Sequence, residues 1–206
     1  MNQQLAPYFF DYFRMSPVDA GIAAATVGCS NVFARALGGY VSDKVNAVYG
    51  HRGRHWVLFL LMLSTALTMI GFSRMYADNI PGAMVLISLF SVFVSACNGA
   101  TYAVVPYVGD LLASLGPVSG IVGAGGNVGA ALWNAIYKYE AGNADARAPF
   151  FAHGFAILGC AFLVPCVHYA QLGSMFWPAT EAPPPEMLPV AAVDAAAAGP
   201  KAKARA

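Results

Sequence analysis

The sequence predicts an all-α integral membrane protein, and three observations carry that expectation. Of the 206 residues, 58% are hydrophobic and 10% are charged, against about 25% charged residues in soluble domains. The apolar residues gather into long segments, and a helix of about 20 residues crosses the ~30 Å hydrocarbon core of a bilayer. The charges collect between those segments.

Five segments have the required length: 19–42, 56–75, 80–107, 115–138 and 150–172. Ahead of them, MNQQLAPYFFDYFR has 14 residues before the turn-like MSPVD, about 21 Å as a helix at 1.5 Å per residue. That is too short to span, and the stretch lacks the basic start and small-residue cleavage site of a signal peptide. Residues 1–14 therefore read as part of a helix whose beginning is missing, and the chain as a piece of a longer protein. The bundle is expected over 1–176. The Pro- and Ala-rich run over 177–206 predicts a disordered tail, because it has too little apolar surface to offset the entropy of folding.

Charge fixes orientation and excludes some classes of partner. The stretch SDKVNAVYGHRGRH carries Lys44, Arg52 and Arg54, whereas RMYADN and KYEAGNADAR balance their basic residues with Asp78, Glu140 and Asp145. The positive-inside rule then puts the 43–55 loop in the cytosol. Alternation places the C-terminus, ending KAKARA, on the same side. A net charge of +1 gives no support to a nucleic-acid partner. Cys29, Cys97, Cys160 and Cys166 show no CxxC or paired spacing and read as small apolar thiols. His51 and His55, without a carboxylate or cysteine at ligand spacing, make no zinc motif. No nucleophile with an adjacent base and no acid pair lies in a span, so an enzyme is not expected.

The helix faces point to a site. Gly21, Ala24, Gly28, Asn31, Arg35, Gly38 and Ser42 fall on one stripe of the 19–42 segment, with Val32, Phe33, Leu37, Tyr40 and Val41 elsewhere. Such a stripe faces protein or water. Arg35 is near its middle, where an arginine costs about 2.5 to 3.5 kcal/mol to insert and is by default functional and partnered. The ten acidic residues all fall at segment ends, in loops or in the tail. The partner of Arg35 is then a carboxylate outside this chain or a transient anion; the bland alternative is a guanidinium that snorkels to the interface.

The segment 115–138 contains GIVGAGGNVGAALWN, with five glycines in an otherwise apolar run. Glycine weakens a helix by about 1 kcal/mol relative to alanine, so the helix gives up stability for these positions. Gly116, Gly120, Gly123, Asn127, Ala131 and Asn134 share one face, while Gly125 and Gly129 form a GxxxG pair on the opposite one. The pair reads as a packing device. The first face lets a small ligand or a neighbouring helix approach the backbone, with the Asn127 amide as a donor to either. Ser91, Ser95, Asn98 and Tyr102 form a third polar stripe, on the 80–107 helix, read as cavity lining or packing.

The run GCSNVFARALGGYVSDKVNAVYGHRGRHW resembles the eighth helix and following loop of nitrate/nitrite porters of the major facilitator superfamily, above all the plant and algal high-affinity nitrate transporters. GIVGAGGNVGAAL is similar to that family's glycine-rich signature in the eleventh helix, and GGYVSDKVNAVYGHRGR to the superfamily's cytosolic loop motif. The resemblance, over about residues 1–172, implies the C-terminal six-helix half of a facilitator with its first helix truncated. It implies Arg35 as the substrate arginine of this half, Gly126 and Asn127 as the core of the signature, and Asp43, Arg52 and Arg54 as a gating loop; the helix faces add Gly123 and Asn31 to the expected substrate-binding residues and Asn98 and Tyr102 as weaker cavity lining. The implied partners are the nitrate or nitrite anion, the absent N-terminal half, an accessory membrane subunit and the lipid bilayer, with no cofactor and no metal. The implied activity is proton-coupled nitrate uptake by alternating access at the plasma membrane. A porter for another small or organic anion, and a truncated non-transporting membrane protein, are the alternatives.

Overall fold

The computed structural model describes residues 2–76, 78–108, 115–140, 147–169, 172–177 and 180. The expected tail beyond 180, and the connections at 109–114 and 141–146, lie outside the described residues. Six helices follow one another: α1 (Asn2–Asp11), α2 (Pro17–Tyr49), α3 (His51–Ser73), α4 (Ile80–Val104), α5 (Leu115–Glu140) and α6 (Ala148–Leu163).

Local chemistry explains their ends. Ser16 caps α2 by accepting from the Asp19 amide at 3.1 Å, and Pro17 follows in the first turn, where its missing N–H costs nothing. Asn79 caps α4 in the same way, accepting from the Gly82 amide at 3.0 Å ahead of Pro81. Pro106 and Pro165 turn the ends of α4 and α6 into single 3₁₀ turns, Val105–Tyr107 and Val164–Cys166, because proline cannot donate to the continuing ladder. After the second, His168–Tyr169 pairs with Gly173–Ser174 as a short antiparallel hairpin. The last helix thus stops short of the expected 172.

The charged stretch at 43–55 is helical where a loop was expected. α2 runs on to Tyr49, α3 begins at His51, and Gly50 alone turns the corner, at φ 67°. That left-handed conformation favours glycine. Charged residues mark the edge of the apolar core, and a helix continues beyond that edge as long as its backbone bonds are made. Gly53 lets the two helix ends close up, since a Cβ there would lie 2.8 Å from Val45 Cγ1.

α2 packs most extensively on α4, and α3 lies against α4, α6 and α2. At the α2–α4 crossing backbone meets backbone: a Cβ on Gly38 would collide with the Ala96 carbonyl, and one on Gly99 with the Arg35 carbonyl. The short α1 inserts Leu5, Tyr8 and Phe9, and the turn after it Phe13, into the main core beside Met69, Phe72, Ile87 and Phe150. The Tyr8 and Phe150 rings lie 4.4 Å apart. α5 is the loosely held element, with its main contacts on α6 and the turn after α4, and Tyr137 its one buried residue.

Among the described residues, four helices are long and apolar enough to cross a membrane: α3, α4 with its 3₁₀ turn, α5, and α6 with its 3₁₀ turn. α2 is long, about 50 Å at 1.5 Å per residue, and combines the small-polar stripe with an apolar face on which Val32, Phe33, Leu37 and Tyr40 are exposed. The architecture is that of an all-α multi-pass membrane protein.

Candidate functional site

Arg35 is exposed on α2, and among the described residues it has no carboxylate partner. Its guanidinium lies over the Tyr102 ring of α4, 5.0 Å from the centroid, the geometry in which a ring quadrupole attracts a cation. The pairing follows from the backbone contact of Arg35 with Gly99, one turn before Tyr102. On the far side of Tyr102 is α5, where a Cβ on Gly123 would stand 3.6 Å from the Tyr102 hydroxyl. Arg35, Tyr102 and Gly123, placed on three helices by the sequence, are neighbours.

The other expected site residues divide into two groups. Gly126 meets nothing within 4 Å and Asn127 is exposed, so both face open space on α5. Asn31, whose side-chain oxygen accepts from the Ser95 hydroxyl, and Asn98 line a cavity of about 590 Å³ among α2, α3, α4, α5 and α6. Asn134 and His153 share that cavity and were not among the expected site residues. The signal for Asn134 was its place seven residues after Asn127, on the same helix face. For His153, whose Nδ1 is 2.8 Å from the Tyr137 hydroxyl, sequence spacing offers none, because its partner is on another helix.

The packing expected of Gly125 and Gly129 is absent among the described residues, as neither would place a Cβ within 4 Å of any of them. Their GxxxG face is unpartnered among the described residues; the tight glycine contacts fall at Gly38, Gly53, Gly99 and Gly154, and at Gly82 against its own helix cap Asn79.

A second charged group sits at the α2–α3 corner. Arg54 is buried; its Nη1 pairs with Asp43 Oδ1 at 2.7 Å and donates to Ser42 Oγ at 3.3 Å, while its Nη2 donates to the Tyr107 hydroxyl at 3.4 Å. Its guanidinium also lies 5.2 Å from the Tyr107 ring centroid. Arg52 points elsewhere, donating to the Phe176 carbonyl at 2.8 Å. The expected gating residues therefore do separate work: Asp43 and Arg54 tie α2 to α3 and to the end of α4, and Arg52 ties α3 to the segment after the hairpin. Beside them, the His51 ring packs edge-on against Tyr107 and Tyr169, and burial pushes the Tyr169 phenol above its usual range.

Known proteins share this arrangement of sequence. The chain is 34% identical over 172 residues to the high affinity nitrate transporter 2.5 of Arabidopsis thaliana, an overlap of 84% of the chain and 33% of that protein. It is 35% identical over 137 residues to nitrate transporter 2.2 of Chlamydomonas reinhardtii, 66% of the chain and 26% of that protein. It is 31% identical over 166 residues to the nitrate/nitrite transporter NrtP of Nostoc punctiforme, 77% of the chain and 30% of that protein. The chain belongs to the nitrate/nitrite porter family. This porter sequence spans about a third of the length of the plant relative. No family model and no solved structure matches it.

Proposed function

We propose that these helices form the C-terminal half of a nitrate porter and that Arg35 binds the anion. The observation that carries the reading is the isolation of Arg35: a guanidinium near the middle of α2, seated on Tyr102, without a carboxylate among the described residues. Nitrate is planar and monovalent, and a guanidinium offers a flat fork of donors to such an ion. Gly123 beside Tyr102, and Gly126 and Asn127 beyond it, supply approachable backbone and an amide donor on α5. The relatives' names, nitrate transporter and nitrate/nitrite transporter, support this substrate.

The open face of α5 and the apolar exposed face of α2 suit an N-terminal six-helix half. Rocking of one half against the other, with the site near the midplane, then gives alternating access. The same reading takes nitrate uptake as proton-coupled at the plasma membrane, with the C-terminus in the cytosol and an accessory membrane subunit as a partner. The test is uptake of isotopically labelled nitrate into proteoliposomes containing this chain assembled with its N-terminal complement, with and without an inward proton gradient. Saturable uptake, competed by nitrite and accelerated by the gradient, is expected. Organic anions taken up in preference to nitrate would overturn the substrate, and nitrite-driven uptake indifferent to the gradient would replace symport by exchange.

A further inference from the structure

The cavity one helical turn from Arg35 has a chemistry of its own. Its volume of about 590 Å³ is many times the ~30 Å³ that a water occupies in the liquid. No carboxylate, ammonium or guanidinium lines it. Its polar groups come mainly from three carboxamides and an imidazole on four helices: Asn31, Asn98, Asn134 and His153.

Each of these has hydrogen-bonding capacity to spare. Ser95 occupies the oxygen of Asn31, leaving both N–H groups of that amide as donors. Asn98 is exposed to the cavity and carries no side-chain hydrogen bond among the described residues. Asn134 Oδ1 is buried without a partner. His153 is fixed by stacking on Trp133, centroids 4.0 Å apart and planes 11° from parallel, and by its Nδ1 contact with Tyr137. Its Nε2 is the ring nitrogen left over.

We propose that this cavity is a second anion station, holding a monovalent, weakly hydrated oxyanion on neutral N–H donors; the proposal rests on the porter reading above. A divalent anion or a cation finds no counter-charge here and leaves its hydration at large cost. An apolar ligand leaves three amides unpaired. A monovalent oxyanion accepts from the amide N–H groups, and a water carried with it satisfies Asn134 Oδ1. Asn31 is four residues before Arg35, so its amide and the guanidinium stand on the same side of α2. An ion leaving the cavity past Asn31 reaches Arg35 without crossing an apolar barrier on that helix.

The experiment measures binding of ¹⁵N-nitrate to the 206-residue chain in lipid nanodiscs, because both stations lie within it. The parent chain is expected to bind two equivalents. Asn98→Leu, at an exposed amide where folding is least at risk, should weaken one of the two at least tenfold and leave the other. Asn134→Leu should do the same, and Arg35→Gln should remove only the other one. Excess sulfate should not displace the cavity ion. A parent that binds one equivalent, lost in Arg35→Gln and retained at full affinity in Asn98→Leu and Asn134→Leu, means that the cavity holds water only; the proposal then falls and the porter reading stands. A parent that binds no nitrate overturns the second station, and the porter reading is then decided by the uptake measurement on the assembled protein.

Discussion

The Arg35 guanidinium rests on the face of Tyr102 with its carbon 5.0 Å from the ring centroid, and no carboxylate among the described residues competes for it. The aromatic face therefore orients a charge that remains free to bind an anion. Tyr102→Leu removes that support. Cation–π contacts contribute about 0.5 to 2 kcal/mol, so the KM for nitrate should rise roughly 2- to 30-fold. Tyr102→Phe keeps the ring and should stay near the parent; equal damage from Phe and Leu would move the role to the hydroxyl beside Gly123.

Replacing Arg35 itself separates charge from shape. Arg35→Lys keeps one positive charge and loses the planar fork. In the full-length protein, nitrate uptake should collapse while the amount of inserted protein is unchanged. Uptake at the parental rate in the lysine variant would make Arg35 structural.

The glycines should fail in two ways. A methyl group on Gly38 or Gly99 meets the backbone of the facing helix, and overpacking of that kind costs about 1 to 3 kcal/mol. Gly38→Ala and Gly99→Ala should lower the yield of folded chain. Gly126→Ala and Asn127→Ala, on the open face of α5, should leave the yield intact and reduce nitrate transport per inserted molecule. Gly125→Leu and Gly129→Leu meet nothing among the described residues; they should be neutral for this chain alone and harmful once the proposed N-terminal half is present. Equal loss of yield in all six variants, with transport per molecule intact, would reduce these glycines to packing.

At the α2–α3 corner the buried partner should matter more than the exposed one. Arg54→Ala deletes an ion pair, two hydrogen bonds and a cation–π contact, a loss of about 3 kcal/mol. The Asp43 side chain is 66% exposed, and its contribution is screened by water, so Asp43→Asn should cost about 1 kcal/mol or less. Unfolding of the two variants by denaturant in the same detergent checks the order, and a larger loss in Asp43→Asn would reverse this assignment.

Helix type and number were legible in the sequence because length and hydropathy are properties of contiguous residues. The stripe containing Arg35 was legible for the same reason: the α-helical period places Asn31, Arg35, Gly38 and Ser42 in line. What could not be read was which glycine is tight. Gly125 and Gly129 have the packing spacing and meet open space, whereas Gly99, with no such spacing, closes on Arg35, because a crossing point depends on where two helices meet in space. Charge also misplaced a helix end. Asp43 and Lys44 marked the limit of apolar surface, but α2 continues to Tyr49 until Gly50 supplies a left-handed residue.

The backbone contact between α2 and α4 carries a mechanical implication. Asn31 and Arg35 ride on α2, and Ser95, Asn98 and Tyr102 on α4. Two helices pressed together at Gly38–Ala96 and Arg35–Gly99 should move as one stiff jaw, and under the proposed function its aperture toward an ion would then stay the same through a transport cycle. α5, bearing Gly123 and Asn127, has few attachments and can shift against that jaw. Under the proposed function, discrimination between ions would belong to the part that holds still, and release to the part that slides.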